Sequence, residues 1–583
     1  MCGILLTYGT GRPFHHRLLA SLRKRGPDSV GFWTDGALHM GHTRLAILGL
    51  DERGIEPLEN DTHVLIYNGE IYNFIDLSNR LKSDGVHVSA TNDAETLLHL
   101  WSRYGEKVLA DLTGFWAFAI YDKAARKLTL VRDQLGIKPL YYARTAKGLH
   151  VASTIGALLD VMDESPELDY EAMSEYVRYQ FTFADKTFVK QIKKVLPGHL
   201  VEIDLDTREL RTRCYEDIFQ SEADTKEPAS EEWVQKTREL LGQCCIDSTI
   251  SDTSFTTFCS GGLDSSLITR VTTPEIAYHC NFSDSECNET FFAQQAVKDT
   301  RIRLFVVNAE EQFDLVDKLA SIVEDFDELS IGSVILPLED LLTQVKRRYK
   351  VILTGTGGDE LFAGYVRYQL ALGQCFHDPY RALYDKMQGL KTPAERFELA
   401  HRKGDPQYYR FYEPKVAGTF QEAYDACGSS SDELRRMLTF DRRYFLSGLL
   451  NIDDKMCGRH SLESRPSFLH QAFVRHVRRL DSQEFIQNHE LKWLLRKVAR
   501  GTLPDTVIER QDKMGFTTPI GTFVNRSSHR VREQLTSSRF RDLYDLRKMN
   551  LTAETKFSRE VFGLVMLDLW LNRYIKNRGA EAH

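Results

Sequence analysis

The sequence predicts an α+β unit followed by an α/β unit, and three observations carry that prediction. From Gly3 to about Asp206 the chain runs as short apolar segments punctuated by glycine and polar residues (GILLTY, HVLIYNG, GFWAFAIYD, KLTLVRD, PLYYAR, LHVAS, HLVEID), a strand-rich texture. Residues 220–232 then hold almost no apolar side chain, as a linker does. Beyond them strand and helix signals alternate, the pattern of a doubly wound parallel sheet.

In chain order, 75–83 and 94–104 carry apolar residues at i, i+3 and i+4 and read as helices lying on the first unit's sheets. After the linker come a strand at 254–259, a helix from about Asp264, a strand at 276–283, a helix at 289–299, a strand at 303–308, further helix and a strand at 350–354. Past Tyr365 the signal is helical, with loops expected around 453–467 and 510–519. The domains are therefore set at 2–212 and 233–583, with 213–232 between them.

Composition excludes several classes. Of 583 residues 42% are apolar and 27% charged, ordinary globular values that rule out general disorder. With 75 Lys+Arg against 83 Asp+Glu the net charge is -8, so no positive field would hold a nucleic acid. Ten cysteines without a C-x-x-C pair fit a reducing compartment, and a cytoplasmic location is expected. The start MCGILLTYGTGR has no basic n-region, and no run approaches the roughly 18 apolar residues a membrane helix needs.

Cys2 follows the initiator Met, and its small side chain permits Met removal, leaving a thiol and an α-amino group on one residue. An α-amino group titrates near pH 8, so it can take the thiol proton and return it to a leaving amine. Downstream stand Arg25-Gly26-Pro27-Asp28, Gly41-His42-Thr43-Arg44-Leu45, Tyr67-Asn68-Gly69-Glu70, Asn92-Asp93-Ala94-Glu95 and Arg132-Asp133-Gln134-Leu135-Gly136. With these the first unit resembles the class II glutamine amidotransferases, whose fold is an N-terminal-nucleophile αββα sandwich. The resemblance implies Cys2 as nucleophile, and Asn68 with the Gly69 N–H as oxyanion donors. It implies Arg44, Asn68, Glu70 and Asp93 as glutamine-binding residues. By itself, Asn68-Gly69 reads as a hairpin turn.

Phe258-Cys259-Ser260-Gly261-Gly262-Leu263-Asp264-Ser265-Ser266 joins a strand to a helix. Two glycines let backbone approach closely, three hydroxyls offer hydrogen bonds, and a helix start presents free N–H groups to phosphate. It is not a Walker A loop, since the Lys-Ser/Thr ending is missing. This loop resembles that of the N-type ATP pyrophosphatases, which cleave ATP to AMP and pyrophosphate. Leu353-Thr354-Gly355-Thr356-Gly357-Gly358-Asp359-Glu360-Leu361-Phe362-Ala363-Gly364-Tyr365 ends another strand, where ligands gather on open α/β sheets. Ser260, Gly261, Gly262, Asp264, Ser265, Ser283, Gly355, Gly357 and Asp359 form the expected ATP set, with Asp264 and Asp359 as a Mg²⁺ pair.

The order of these parts resembles the glutamine-hydrolysing asparagine synthetase family over nearly the whole chain. The resemblance assigns pyrophosphate contact to Lys513 and, through the 460–469 segment, the acceptor to Glu463 and Arg465. It implies ammonia released at Cys2, carried inside the protein to an acyl-adenylate, with aspartate the favoured acceptor and a homodimer left open. Four departures stand out, the first being segment 324–337 (EDFDELSIGSVILP), which matches the family's acceptor side only loosely. Thr356 occupies a position acidic in the family, Ser464 and Ser467 alter the usual Val-Arg-Val-Pro-Phe-Leu, and Ser153-Thr154-Ile155-Gly156-Ala157-Leu158 lacks two charges. A different acceptor, such as a uronic-acid sugar or a specialised-metabolite carboxylate, is the runner-up, and a non-catalytic scaffold is the alternative of another class. A transferase acting on a sugar phosphate would have no use for SGGLDSS.

Overall fold

The computed structural model describes residues 1–9, 16–89, 91–219, 226–330, 332–376, 378–405, 408–428, 432–511, 518–553, 555–556 and 558–575. Two antiparallel six-stranded sheets build the N-terminal unit. One has the order Ile192–Lys194, Tyr141–Arg144, Leu149–Ala152, Gly3–Tyr8, Leu38–Arg44, Ser29–Asp35. The other has the order Leu210–Cys214, His199–Asp204, Lys127–Arg132, Gly114–Asp122, His63–Ile71, Leu58–Glu59.

Strand alternation decides what each face buries. Ile4 and Leu6 share a core with Met40, Val64, Ile66, Ala117 and Ala119, the filling between the two sheets. Leu65, Tyr67, Phe118 and Ile120 face the other way, against helices Phe74–Ser83 and Asp93–Tyr104 through Leu77, Leu81, Leu97 and Leu100. Helix Ile155–Val161 packs on the first sheet, completing the four layers.

The second unit is built on a parallel sheet of order Arg303–Asn308, Ile276–Asn281, Phe255–Phe258, Val351–Thr354, Glu463–Pro466. The chain adds strands to one side of Phe255–Phe258 and then crosses to the other. The switch point therefore lies between that strand and Val351–Thr354, where α/β sheets open a crevice for ligands.

Two expectations need correction. The segment 453–467 is not a loop: helix Leu446–Arg459 runs through its first part and Glu463–Pro466 is the edge strand of the sheet. Glu-Ser-Arg-Pro carries no apolar alternation, and pairing with Val351–Thr354 makes the strand in spite of local propensity. Nor is Asn68-Gly69 a turn, because both lie inside His63–Ile71. A Cβ on Gly69 would sit 2.2 Å from the Phe115 carbonyl oxygen, so close strand approach explains the glycine.

Residues 220–225 of the expected linker lie outside the described residues. Further on, the Glu227 backbone pairs with Arg479 and Asp481 at 3.0 Å each, so this stretch is pinned to the second unit. One core crosses the boundary between units: Met1, Leu5, Leu158, Tyr176 and Phe188 belong to the same cluster as Ile322, Phe326, Ile452 and Trp570. All ten cysteines are free thiols, and no described helix is long and apolar enough to cross a membrane.

Candidate functional site

Cys2 stands at the entry of strand Gly3–Tyr8, clamped from two sides. Its backbone N–H donates to Asn68 Oδ1 at 2.9 Å, and its carbonyl accepts from Arg25 Nε at 3.1 Å. Asn68 is fully buried, and its Nδ2 has no partner. A buried amide donor left unpaired costs free energy unless a ligand accepts from it, which suits an oxyanion. Burial pushes the Cys2 thiol above its ordinary value, while the terminal ammonium and the Leu45 backbone N–H act against that rise.

The other residues expected at glutamine are held in different ways. Arg44 donates through Nη1 to the Asp51 carbonyl at 2.8 Å and through Nη2 to the Leu48 carbonyl at 2.9 Å and to that of Gly49. Asp93 accepts from the Tyr67 hydroxyl at 2.8 Å and the Ile71 N–H at 3.0 Å. Burial raises its carboxyl in spite of these donors.

Glu70 joins a second network that crosses to the parallel sheet. Its Oε1 lies 3.3 Å from Arg465 Nη2, and Arg465 Nε donates to Glu463 Oε1 at 2.8 Å. Arg465 Nη1 also donates to the carbonyls of Ser248 at 3.0 Å and Ile250 at 2.7 Å, and Lys138 Nζ stands 3.6 Å from Glu463 Oε2. The two residues expected at the acceptor therefore face the first unit, fully enclosed. In an edge strand successive side chains point to opposite faces, which leaves Ser464 on the side of the nucleotide loops.

Those loops interlock at the switch point. Gly261 takes φ +79°, and a Cβ there would lie 2.6 Å from the Ala293 N. Ser260 Oγ and Ser265 Oγ are 2.9 Å apart, and the Ser260 N–H donates to Ser265 Oγ at 3.1 Å. A Cβ on Gly355 would meet the Ser265 N at 2.8 Å, so the loop after Val351–Thr354 lies directly on the helix start at Leu263–Thr272. Gly357, at φ +94°, is pressed against Leu469. Ser283, also expected in the ATP set, is engaged by Glu311 through its N–H at 2.6 Å and its hydroxyl at 2.7 Å.

Asp264 and Asp359 converge on Lys492, a residue the sequence analysis missed. Its Nζ bridges Asp264 Oδ2 and Asp359 Oδ1, the latter at 2.7 Å. Lys492 adopts φ +55°, a backbone conformation that a lysine holds only when its surroundings fix it. Asp264 Oδ1 stays buried without a partner. Two carboxylates with one orphaned oxygen, beside loops shaped for phosphate, fit Mg²⁺, which takes few protein oxygens and completes its shell with phosphate and water. No group of three or more His, Cys, Asp or Glu able to hold a metal exists among the described residues. Lys513 lies outside the described residues.

Asp453 bonds the second glycine loop; the sequence places it in an expected loop, within the segment that resembles the family's acceptor and nucleotide region, with no role of its own. Its Oδ2 accepts from Thr356 Oγ1 at 2.6 Å, and Thr356 Oγ1 in turn receives the Thr354 hydroxyl at 3.2 Å. Burial and the adjacent Asp454 raise its carboxyl to about 6, against the pull of nearby Thr356, Ser464 and Thr354 hydroxyls. Asp454, on the next position of the helix, pairs with Arg25 at 2.7 Å.

Residues 1–216 match the family model of a glutamine amidotransferase domain, and residues 236–572 that of asparagine synthase. The glutamine-hydrolysing asparagine synthetase 1 of Bacillus subtilis (strain 168) is 28% identical, over 95% of this chain and 92% of its own length. Asparagine synthetase 3 of the same strain is 28% identical over 85% of this chain and 82% of its own length. A putative asparagine synthetase of Methanocaldococcus jannaschii is 32% identical over 57% of this chain and 59% of its own length.

Proposed function

The chain belongs to the asparagine synthase family, with a glutamine amidotransferase domain ahead of the synthase domain, and on that premise we propose how its amidation runs. Glutamine is hydrolysed at Cys2 once Met1 has been removed, the freed α-amino group serving as base. Asn68 Nδ2 and the Gly69 N–H receive the oxyanion, while Arg44, Glu70 and Asp93 hold the amino-acid end of the substrate.

ATP binds across the two glycine loops, through Ser260, Gly261, Gly262, Ser265, Gly355 and Gly357, with Lys513 on the pyrophosphate. Mg²⁺, held by Asp264 and Asp359, supplies charge neutralisation for the phosphates when bound. A carboxylate is a poor electrophile, and its adenylation supplies a leaving group that ammonia displaces. Aspartate is the acceptor we favour. Thr356 and Ser464 give the acceptor wall hydroxyls where the family pattern differs, which is the reason for holding a uronic acid as second reading. Ten free thiols suit a cytoplasmic site of action.

The single observation behind this reading is that helix Leu446–Arg459 reaches both sites. Asp454 is paired with the Arg25 that holds the Cys2 carbonyl, while Asp453 sits on the loop that flanks the nucleotide crevice. Ammonia handed on inside the protein along this helix would stay unprotonated and out of reach of water.

Pyrophosphate–ATP isotope exchange, run with one candidate acid at a time, tests it. Exchange that requires aspartate is the expected result. Exchange with D-glucuronate alone moves the acceptor to the second reading, and silence with every acid defeats the adenylate.

A further inference from the structure

Attack of ammonia on an acyl-adenylate leaves a proton that must go somewhere. As the C–N bond forms, the nitrogen becomes positively charged; as the C–O bond to AMP breaks, the phosphate takes the electron pair. Unless the nitrogen loses a proton, the tetrahedral species returns to ammonia. At the family's usual position for a carboxylate this chain has Thr356, whose hydroxyl is no base at neutral pH.

The carboxylates around the switch point are nearly all committed to cations. Asp264 and Asp359 share Lys492, Asp454 holds Arg25, and Glu463 is enclosed by Lys138 and Arg465. Asp327 holds Lys455 at 2.7 Å, and Glu360 takes the Tyr365 hydroxyl at 2.5 Å. Asp453, like Glu360, is bonded by a hydroxyl and, among the described residues, by no cation, but Glu360 is fully enclosed. Asp453 is half-buried, and it bonds Thr356 of the 355–357 loop from helix Leu446–Arg459. The Ser464 hydroxyl beside it, with those of Thr356 and Thr354, favours its ionised form.

We propose that Asp453 is the general base of the amide-forming step, a carboxylate supplied by helix Leu446–Arg459 in place of one on the glycine loop. It accepts one proton from the attacking nitrogen as AMP departs, and Thr356 orients it by donating to Oδ2. This inference rests on the acyl-adenylate reading above. A carboxyl lifted toward neutrality is also better matched to proton transfer at physiological pH than an ordinary aspartate.

The test is Asp453→Asn in the full-length chain, assayed with L-aspartate or D-glucuronate, whichever supports pyrophosphate exchange in the wild type. Exchange and glutamine hydrolysis should persist within a few-fold, which also reports a folded protein, while ammonia-driven amide synthesis falls by about 100-fold or more. Hydroxylamine, whose nitrogen gives up its proton more readily than that of ammonia, should recover part of the loss. Adding Thr356→Glu to the variant should restore synthesis by returning a carboxylate to the other end of the same hydrogen bond. Synthesis unchanged in the single variant would overturn the proposal, as would loss of exchange together with synthesis, since Asp453 would then serve binding or adenylation. No exchange in the wild type with either acid would overturn the adenylate reading, and this proposal with it.

Discussion

Arg25 donates through Nη1 to Asp454 Oδ2 at 2.7 Å while its Nε holds the Cys2 carbonyl at 3.1 Å. Both partners of the ion pair are buried, with side-chain exposures of 5% and 3%, so removing one strands a charge away from water. Arg25→Met should therefore destabilise the chain by about 3–5 kcal/mol, and Arg25→Met with Asp454→Leu by clearly less. Denaturant titration measures both. At temperatures where the single variant stays folded, more glutamate should be released per amide formed. A ratio equal to that of the wild type would mean the pair serves stability alone.

Asn68→Ala removes the unpartnered Nδ2 and the oxygen that takes the Cys2 N–H. Glutamine hydrolysis should fall by roughly 100- to 1000-fold in kcat, as for loss of one oxyanion donor. Ammonia-driven synthesis should survive. Steady-state assays with each nitrogen source separate the outcomes, and equal loss of both would remove Asn68 from the oxyanion role.

Lys492→Met leaves Asp264 and Asp359 facing each other with no cation between them. Pyrophosphate exchange should change its Mg²⁺ dependence, half-saturating at lower Mg²⁺, since the two carboxylates lose the cation that competes with the metal for them. A Mg²⁺ titration of exchange checks this. An unchanged half-saturation would contradict it.

The Asp453 carboxyl is raised to about 6 from an ordinary value of 3.8, so its ionised form is the one folding disfavours. The cost is absent below pH 3.8, grows as pH rises to about 6, and is constant above. Asp453→Asn should thus raise stability above pH 6 by at most about 3 kcal/mol and change little at pH 4. Thermal unfolding at the two pH values reads the difference.

Glu339 shows the opposite sign. Burial alone would raise its carboxyl, but His460 and Arg459 outweigh burial and bring it to about 2. Its stabilisation is complete above the ordinary value of 4.5 and is lost as pH falls toward 2. Glu339→Gln should flatten the acid limb of the stability curve in that window, by at most about 3 kcal/mol.

The strands around both glycine loops could be read from the sequence because their apolar runs and their punctuation agree. Phe255–Phe258 and Val351–Thr354 lie within one residue of their expected bounds at both ends. The edge strand Glu463–Pro466 could not be read, since its residues are polar and pairing creates it. Lys492 stands in a turn ahead of helix Trp493–Ala499 and Asp453 in a segment expected to be a loop, where a lysine or an aspartate ordinarily means a solvated surface. Only the return of the chain to the switch point gives them partners. Gly156 was noted for its missing charge; in the fold its N–H donates to Asp327 Oδ2 at 2.8 Å, and a Cβ there would come within 3.2 Å of Tyr574.

Helix Glu560–Tyr574 touches residues laid down almost four hundred positions earlier: the Gly563 carbonyl receives the Tyr176 hydroxyl at 3.2 Å, and Trp570 stacks edge-on with Phe188 at 5.0 Å. A ribosome works in the other order. The nascent glutaminase leaves the exit tunnel long before the helix against which its flank closes, and it waits there with that flank wet. Translation that stalls before codon 560 would release a polypeptide able to fold at its front yet unable to seal, one that spends glutamine and spills ammonia into the medium.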